Sequence, residues 1–250
     1  MQWINSWFFV FARVAAIFSL APVFGSRLIP VRIRLIIAFW IAIVIFPVVP
    51  ATPVVDIFSP QGVALLMEQM LIGLSMAFIL QLVFNAVTIA GEIIAMTMGL
   101  GFAHMVDPQN GIQVPVVSQL YVITSTLLFL ALDGHILLLG LLNQSFTTLP
   151  IAEWQFDKDF VWQIASWASN MFIGALLISL PIVTGLLISN ITMGVMARSS
   201  PQLNIFAVGF PATMLIGFVL MMLAMPAFLP GFSQLLDSAF DFLQLLLRIS

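Results

Sequence analysis

This 250-residue chain is 62% apolar and 7% charged, whereas a soluble domain carries about 25% charged residues. Lipid is therefore expected to surround much of its surface, in agreement with a mean hydropathy of +1.18, and a soluble enzyme is excluded. A net charge of −3 offers no basic patch for nucleic acid, and the lack of cysteine excludes disulfides, thiolate zinc sites and cysteine nucleophiles.

Long apolar runs predict membrane-spanning α-helices, because about 20 apolar residues are needed to cross roughly 30 Å of hydrocarbon. The strands of a transmembrane barrel would alternate apolar and polar residues, and these runs do not. We predict an all-α, multi-pass membrane protein with about six long, partly broken helices. In chain order, the predicted spans are 3–23, 33–50, 62–90, 116–142, 161–190 and 205–230.

The carboxy-terminal part of the chain combines two patterns. Between residues 199 and 236 there is no charge, and glycines and prolines there predict breaks in the helix, at Gly209, Pro211, Gly217, Pro226, Pro230 and Gly231. The tail 231–249 places polar residues at helical spacing opposite apolar ones, which predicts an interfacial or packed amphipathic helix. Its polar stripe consists of Gln234, Asp237, Asp241, Gln244 and Arg248.

The few cations indicate an orientation in the membrane. Arg27, Arg32 and Arg34 lie between the first two predicted spans, and Arg198 lies between the last two. With six crossings these loops share one face, which the positive-inside rule makes cytoplasmic, and both termini lie outside.

Polar side chains are embedded in the predicted spans. One set repeats at spacings of four, three and four, so its members share one face of the third span: Gln81, Asn85, Thr88 and Glu92. Such a face turns inward, either as a path for protons or substrate or to form hydrogen bonds between helices. Three embedded ionisable groups also need a partner or water, and the sequence alone does not pair them: Arg13, Glu68 and Asp133.

No catalytic motif accompanies these polar groups. The histidines, His104 and His135, do not have the spacing of a zinc-binding helix, and His135 is expected to cap or end a helix. We find no nucleophile elbow, no nucleotide-binding loop and no dinucleotide fingerprint. The sequence predicts neither enzymatic activity nor a cofactor or metal; an intramembrane hydrolase has almost no support.

The segment from Met98 to Pro115 interrupts the apolar runs in an unusual way. Its glycines and its Asp-Pro and Asn-Gly pairs are typical of turns, and Pro115 stops a helix. It is nevertheless too apolar for a loop in water, owing to Phe102, Met105, Val106, Ile112 and Val114. Two interpretations stay open: a re-entrant turn with a purely architectural role, or an apolar plug that closes a pathway by excluding water.

Methionines flank this segment and recur late in the chain, among them Met96, Met98, Met193, Met196 and Met214. Methionine is a flexible filler of irregular gaps. The residues therefore either pack an ordinary core or form a deformable seal around something that passes.

Several motifs resemble the FliR family of flagellar export-gate proteins, whose counterpart in virulence-type secretion is SctT, and the resemblance extends over about residues 13 to 240. They are Ala21-Pro-Val-Phe-Gly25, Ile29-Pro-Val-Arg-Ile-Arg34, Ala90-Gly-Glu92, Gly99-Leu-Gly-Phe-Ala-His-Met-Val-Asp-Pro108, Val114-Pro-Val116, Asp133-Gly-His135, Thr148-Leu-Pro150 and Arg198-Ser-Ser-Pro-Gln-Leu-Asn204 with the following Ile205 to Pro211.

The resemblance implies a FliP-like helical part over residues 1–160, fused to a FliQ-like helical hairpin with an amphipathic tail over 161–250. It implies that loop 102–116 is the plug, with gate residues Phe102, His104, Met105, Val106, Asp107, Pro108, Ile112, Val114 and Pro115. It also implies a cytoplasm-facing turn near an FlhB-like switch subunit, at Arg198, Pro201, Gln202 and Asn204.

The leading hypothesis is therefore a non-enzymatic subunit of the flagellar type III export gate. It would assemble with FliP-like and FliQ-like subunits in the bacterial inner membrane, at the flagellar basal body, and pass unfolded flagellar proteins. The alternative, motivated by Glu92 and its polar stripe, is a proton-coupled secondary transporter.

Overall fold

The computed structural model describes residues 2–25, 29–50, 55–100, 115–151, 158–199 and 205–249. Within these ranges every regular element is a helix and no strand occurs, which confirms the predicted all-α class. The helices are α1 (Gln2–Leu20), α2 (Val31–Ile45) followed by a 3₁₀ turn (Phe46–Val48), α3 (Pro60–Thr97), α4 (Val116–Ala131), α5 (Gly134–Thr148), α6 (Lys158–Trp167), α7 (Ser169–Ser199) and α8 (Ile205–Leu246).

The predicted number of six spans is not confirmed. Four segments of the described chain are long and apolar enough to cross a bilayer: Val31–Val48, Pro60–Thr97, Lys158–Met196 and Gly209–Leu246. Helices α4 and α5 were predicted as the single span 116–142. The chain bends by 62° at the break between them, and the pair makes a fifth crossing if it is counted as one span. The apolar part of α1, Asn5–Leu20, is shorter than the length required of a span.

Several long helices differ from their predicted bounds. The span predicted over 161–190 is divided into α6 and α7, and α7 continues to Ser199. Helix α3 has 38 residues and continues past Gly91 and Glu92, beyond the predicted end at residue 90. Helix α8 has 42 residues and contains Pro211, Pro226 and Pro230, so the prediction that these prolines break it is wrong. Each proline removes one backbone hydrogen bond, and the leucines, methionines and alanines around them favour helix strongly enough to continue it.

The amphipathic tail is consequently the last part of α8 rather than a separate helix. Its apolar face is buried at Leu236, Phe240 and Leu243, while Asp237 and Asp241 are exposed.

The chain forms two compact units that alternate along the sequence. The first comprises Met1–Val83, Phe129–Ser169 and Leu236–Ser250, and the second comprises Phe84–Leu128 and Asn170–Leu235. In the first unit, α1 packs against both α2 and the first half of α3. Trp7 of α1 lies 5.1 Å from Phe39 of α2 between ring centroids, and a Cβ placed on Gly73 of α3 would lie 2.4 Å from the Arg13 carbonyl oxygen.

Small and aromatic side chains build the core of the second unit. Ala86 and Ala90 of α3 pack with Ala175 of α7 in a fully buried cluster. Phe228 of α8 lies between Tyr121 of α4 and Phe232, with centroid distances of 5.0 and 6.0 Å. The close alanine contacts let the helix backbones approach, as is common among packed helices in membranes.

Candidate functional site

The predicted plug segment follows a sharply terminated helix. Gly99 has φ 85°, its N–H donates to the Met96 carbonyl, and the N–H of Leu100 donates to the Ala95 carbonyl, each at 3.0 Å. This is a Schellman motif, in which a glycine in the left-handed region ends a helix. On the far side Pro115 accepts a hydrogen bond from the Gln119 N–H at 3.1 Å, so the predicted loop 102–116 overlaps α4 by one residue.

Of the nine predicted plug residues, the described ranges include Pro115, which is half-buried. The other eight lie outside the described residues: Phe102, His104, Met105, Val106, Asp107, Pro108, Ile112 and Val114. Their role as a plug stays a prediction.

The helices on either side of this segment are held together close to their ends. The Ser118 Oγ of α4 donates to the Thr88 carbonyl of α3 at 3.2 Å. A Cβ on Gly91 would lie only 2.5 Å from the Ser118 Cα, so glycine is required for this close approach. Whatever the segment between Leu100 and Pro115 does, it is anchored at both ends in one helical hairpin.

A cavity of about 750 Å³ opens in the second unit, beside the end of α3. Its lining includes Met96, Met98 and Met193. Two of its polar residues are in contact, since the Thr213 hydroxyl donates to the Asn190 Oδ1 at 3.4 Å. Three of the methionines singled out in the sequence thus meet in space. Their meeting could not be read from the sequence, because they come from helices almost 100 residues apart.

The predicted polar stripe of α3 is half-buried at all four positions: Gln81, Asn85, Thr88 and Glu92. Thr88 donates its hydroxyl to the Phe84 carbonyl at 3.0 Å, and its own carbonyl accepts the hydrogen bond from Ser118. The Thr88 hydroxyl thus bonds within α3 and only its backbone carbonyl links α3 to α4, so both interpretations of the stripe stay predictions.

Arg13 of α1 is the centre of a buried polar network whose members the sequence did not reveal. The side chain is fully buried, and its Nε donates to Gln69 Oε1 at 2.8 Å, a bond that Nη2 also forms. Nη1 donates to the carbonyl and hydroxyl oxygens of Ser145 at 2.8 and 3.0 Å, and Nη2 to the Leu149 carbonyl at 2.9 Å.

Two further groups complete the surroundings of this guanidinium. Arg13 Cζ lies 4.3 Å from the ring centroid of Phe146, within range of a cation–π contact. The buried carboxylate of Glu68 interacts with Arg13 electrostatically. Because the carbonyls of Ser145 and Leu149 belong to the carboxyl end of α5, Arg13 caps that helix while it binds α3.

The third predicted buried charge, Asp133, is exposed. It lies at the break between α4 and α5, with φ 56° and ψ 23°, which a non-glycine residue rarely adopts. The next residue, Gly134, has no space for a side chain, because a Cβ there would lie 2.5 Å from the ring of Phe129. His135 is the second residue of α5, whose N-cap position is Asp133, so it lies beside a helix boundary but neither caps nor ends a helix as expected.

The predicted cytoplasmic cations lie at helix ends where the structure describes them. Arg32 is exposed in the first turn of α2, and Arg198 is exposed in the last turn of α7. Arg34 donates its Nε to the Ile29 carbonyl at 3.0 Å. The remaining predicted residues of these loops lie outside the described ranges: Arg27, Pro201, Gln202 and Asn204.

Within the part of the chain that the structure describes, no group of three or more histidine, aspartate or glutamate side chains is placed to hold a metal ion. What the described residues form instead are helix–helix contacts and long apolar surfaces.

Comparison with known proteins gives a consistent result. The model of the family described as bacterial export proteins, family 1, matches residues 4–239. The flagellar biosynthetic protein FliR of Escherichia coli K12 is 37% identical over 97% of this chain and 93% of its own length.

Two other relatives give similar values. FliR of Pectobacterium carotovorum is 38% identical over 97% of this chain and 93% of its own length. FliR of Bacillus subtilis 168 is 34% identical over 86% of this chain and 84% of its own length. The matches cover both units and all eight helices at least in part, and the chain therefore belongs to family 1 of the bacterial export proteins, the family of the flagellar biosynthetic protein FliR.

Proposed function

We propose that this membrane component of the flagellar export apparatus is a gate subunit. It assembles with FliP-like and FliQ-like subunits into the inner-membrane pore through which unfolded flagellar proteins pass. Its role is structural rather than enzymatic, and the segment from Phe102 to Pro115 acts as an apolar plug.

One observation carries the assembly part of this proposal: the length of the exposed apolar surface on α8. Large apolar side chains are exposed along this helix from Phe210 to Leu245, including Leu215 at 68% and Met222 at 79%. At 1.5 Å per residue this surface is about 53 Å long.

A bilayer cannot cover that length. To fit about 53 Å into roughly 30 Å of hydrocarbon, the helix would have to tilt by about 55°, beyond the observed range of up to about 40°. Part of this surface would then face water unless protein covers it. Neighbouring subunits with apolar helices supply that cover.

The plug part of the proposal is supported by composition and by anchoring. Five of the predicted plug residues are large and apolar, and the segment begins and ends in the hairpin fixed by Gly91 and Ser118. A short apolar segment tied at both ends can block a narrow conduit by excluding water and move aside without unfolding the helices. The nearby methionine-lined cavity gives the surroundings of α3 room to deform.

The remaining parts of the proposal concern the cytoplasmic side. The loops that carry Arg27, Arg32 and Arg34 and the turn from Arg198 to Asn204 face the cytoplasm. The latter turn contacts an FlhB-like switch subunit. The positive-inside rule supports the cytoplasmic orientation when α4 and α5 count as one crossing, because an even number of crossings then separates the two loops. The family motif supports the contact with the FlhB-like subunit.

Single glutamine substitutions along α8, at Leu215, Met222, Leu229 and Leu245, test the assembly. We expect the substitutions at one end of the helix or the other to lower the amount of co-purifying subunits at least tenfold in mild detergent. A buried leucine contact stabilises by about 1.5–3 kcal/mol, and its loss is enough for this effect. Thr192→Gln, at an exposed polar position of α7, is the matched control. A transporter that acts alone would tolerate all four changes, and full recovery of partners with every variant would refute the gate-subunit proposal.

A further inference from the structure

A groove of about 520 Å³ runs between α5 and the last turns of α8, within the first unit. Its floor is apolar, formed by the nearly buried Leu141 and Phe240. Gly140 lies in one wall, and a Cβ placed there would meet nothing within 4 Å. Because glycine has no side chain, the groove is open at Gly140, and the backbone of another helix can approach closely there.

The rim of the groove is polar and acidic. Asp237 and Asp241 lie one helical turn apart, and both are exposed, as are Gln144 and Gln244. None of the described residues that line the groove is a lysine or arginine. Across the described ranges, neither carboxylate is joined to a basic side chain.

These carboxylates lie in the apolar segment Gly209–Leu246, which is long enough to span a membrane. A carboxylate is costly in hydrocarbon, so lipid is a poor cover for any part of this face that lies within the bilayer. An entirely aqueous surrounding does not fit either, because Ile136 and Leu137 at the edge of the same groove are exposed by 57% and 52%. The surface needs an occupant that is apolar along most of its length and positively charged at one place.

We propose that the groove between α5 and α8 binds an apolar helix of a neighbouring subunit that presents a small residue to Gly140 and a lysine or arginine to Asp237 and Asp241. Removed from water, such a pair of charges fixes the register of the two helices, while the apolar floor supplies contact area. The inference rests on the assembly part of the proposed function and extends it by naming the groove and the charge of its occupant; it uses no residue of the plug segment.

A second copy of this chain is a poor occupant. The chain has a net charge of −3 and only seven lysine and arginine residues. Arg13 is buried and already fully bonded within its own unit. Charge complementarity therefore favours a different, more basic helix.

Charge variants of the full chain, expressed with its natural neighbours and purified by an affinity tag in mild detergent, test this inference. We expect Asp237→Lys with Asp241→Lys, and Asp237→Leu with Asp241→Leu, each to lower recovery of neighbouring subunits at least tenfold. Asp237→Asn with Asp241→Asn should lower it less, because hydrogen bonds remain. Gln234→Leu with Ser238→Leu, at exposed positions that do not line the groove, should leave recovery unchanged.

Cysteine labelling gives an independent readout that does not require a disruptive change. Because the chain contains no cysteine, Gln244→Cys introduces a single thiol at the groove. In the assembled complex we expect it to be protected from a membrane-impermeant maleimide, and to react once Asp237→Lys and Asp241→Lys are added.

Two results would overturn the inference. Rapid labelling of the thiol in the otherwise native complex would place the groove in a water-filled path. Unchanged partner recovery with the leucine pair would show that lipid or nothing covers it. Either result leaves the plug assignment standing, because that assignment rests on the segment from Phe102 to Pro115 and its anchors Gly91 and Ser118, none of which lines the groove.

Discussion

Arg13→Ala is expected to destabilise the first unit by about 3–5 kcal/mol, the range for removing one partner of a buried charged network. The substitution would leave Gln69 Oε1 and the carbonyls of Ser145 and Leu149 without the donors they now have. It would also leave the buried Glu68 carboxylate without its cation. Each of these groups is then desolvated without compensation.

The measurement is thermal unfolding of the detergent-purified complex, together with the amount of the chain in membranes. At roughly 2–4 °C per kcal/mol for a chain of this size, Tm should fall by about 6–20 °C. Arg13→Lys should recover only part of the loss, because one ammonium group cannot reach Gln69, Ser145 and Leu149 as a guanidinium does.

A double substitution distinguishes the charge from the packing. In an Arg13→Met background, Glu68→Gln removes the carboxylate that would remain buried without its cation, so the pair should be more stable than Arg13→Met alone. Additive losses would show that Glu68 is not coupled to Arg13. A Tm within about 2 °C of wild type for Arg13→Ala would contradict the role assigned to the network.

Gly91→Ala is expected to separate α3 from α4 and to destabilise the hairpin that anchors the plug segment. The new Cβ would lie 2.5 Å from the Cα and 2.9 Å from the backbone N of Ser118. Backbone atoms cannot rotate away as a flexible side chain can, so the helices must move apart. Overpacking of this kind costs about 1–3 kcal/mol.

The matched control is Gly194→Ala on α7, where nothing lies within 4 Å of the added carbon. There the better helix propensity of alanine should stabilise the protein by about 0.5–1 kcal/mol. The two substitutions add the same methyl group to a helix with opposite expected signs. Tm shifts of the same sign at both positions would refute the close approach of α3 and α4.

Features that depend on local spacing could be predicted from the sequence. The helical class, the polar stripe of α3 and the amphipathic tail each follow from residues within a few turns of one another. The end of α3 was predicted less well, since the predicted span stops at residue 90 whereas the helix continues to Thr97 and is terminated by Gly99, whose left-handed conformation is seen only in the structure. The break at Asp133 was less visible, since the apolar run continues on both sides of the Asp-Gly pair.

Features that depend on the tertiary fold could not be predicted from the sequence. The partners of Arg13 are 56 to 136 residues away along the chain, so its need for partners was predictable and their identity was not. The acidic stripe of the tail was visible, but the groove it forms also requires Gly140 on α5. The prolines of α8 led to a wrong prediction of helix breaks, because this helix of 42 residues continues through three of them.

The central claim, that the segment after α3 closes a shared conduit, is tested most directly by ion conductance of the assembled complex. Deleting residues 104–112 removes most of the apolar segment and leaves Gly99 and Pro115 at the helix ends. We expect the purified complex to retain its subunits and to conduct ions in a planar bilayer, where the undeleted complex is closed. A fully assembled deletion complex with unchanged conductance would contradict the plug assignment.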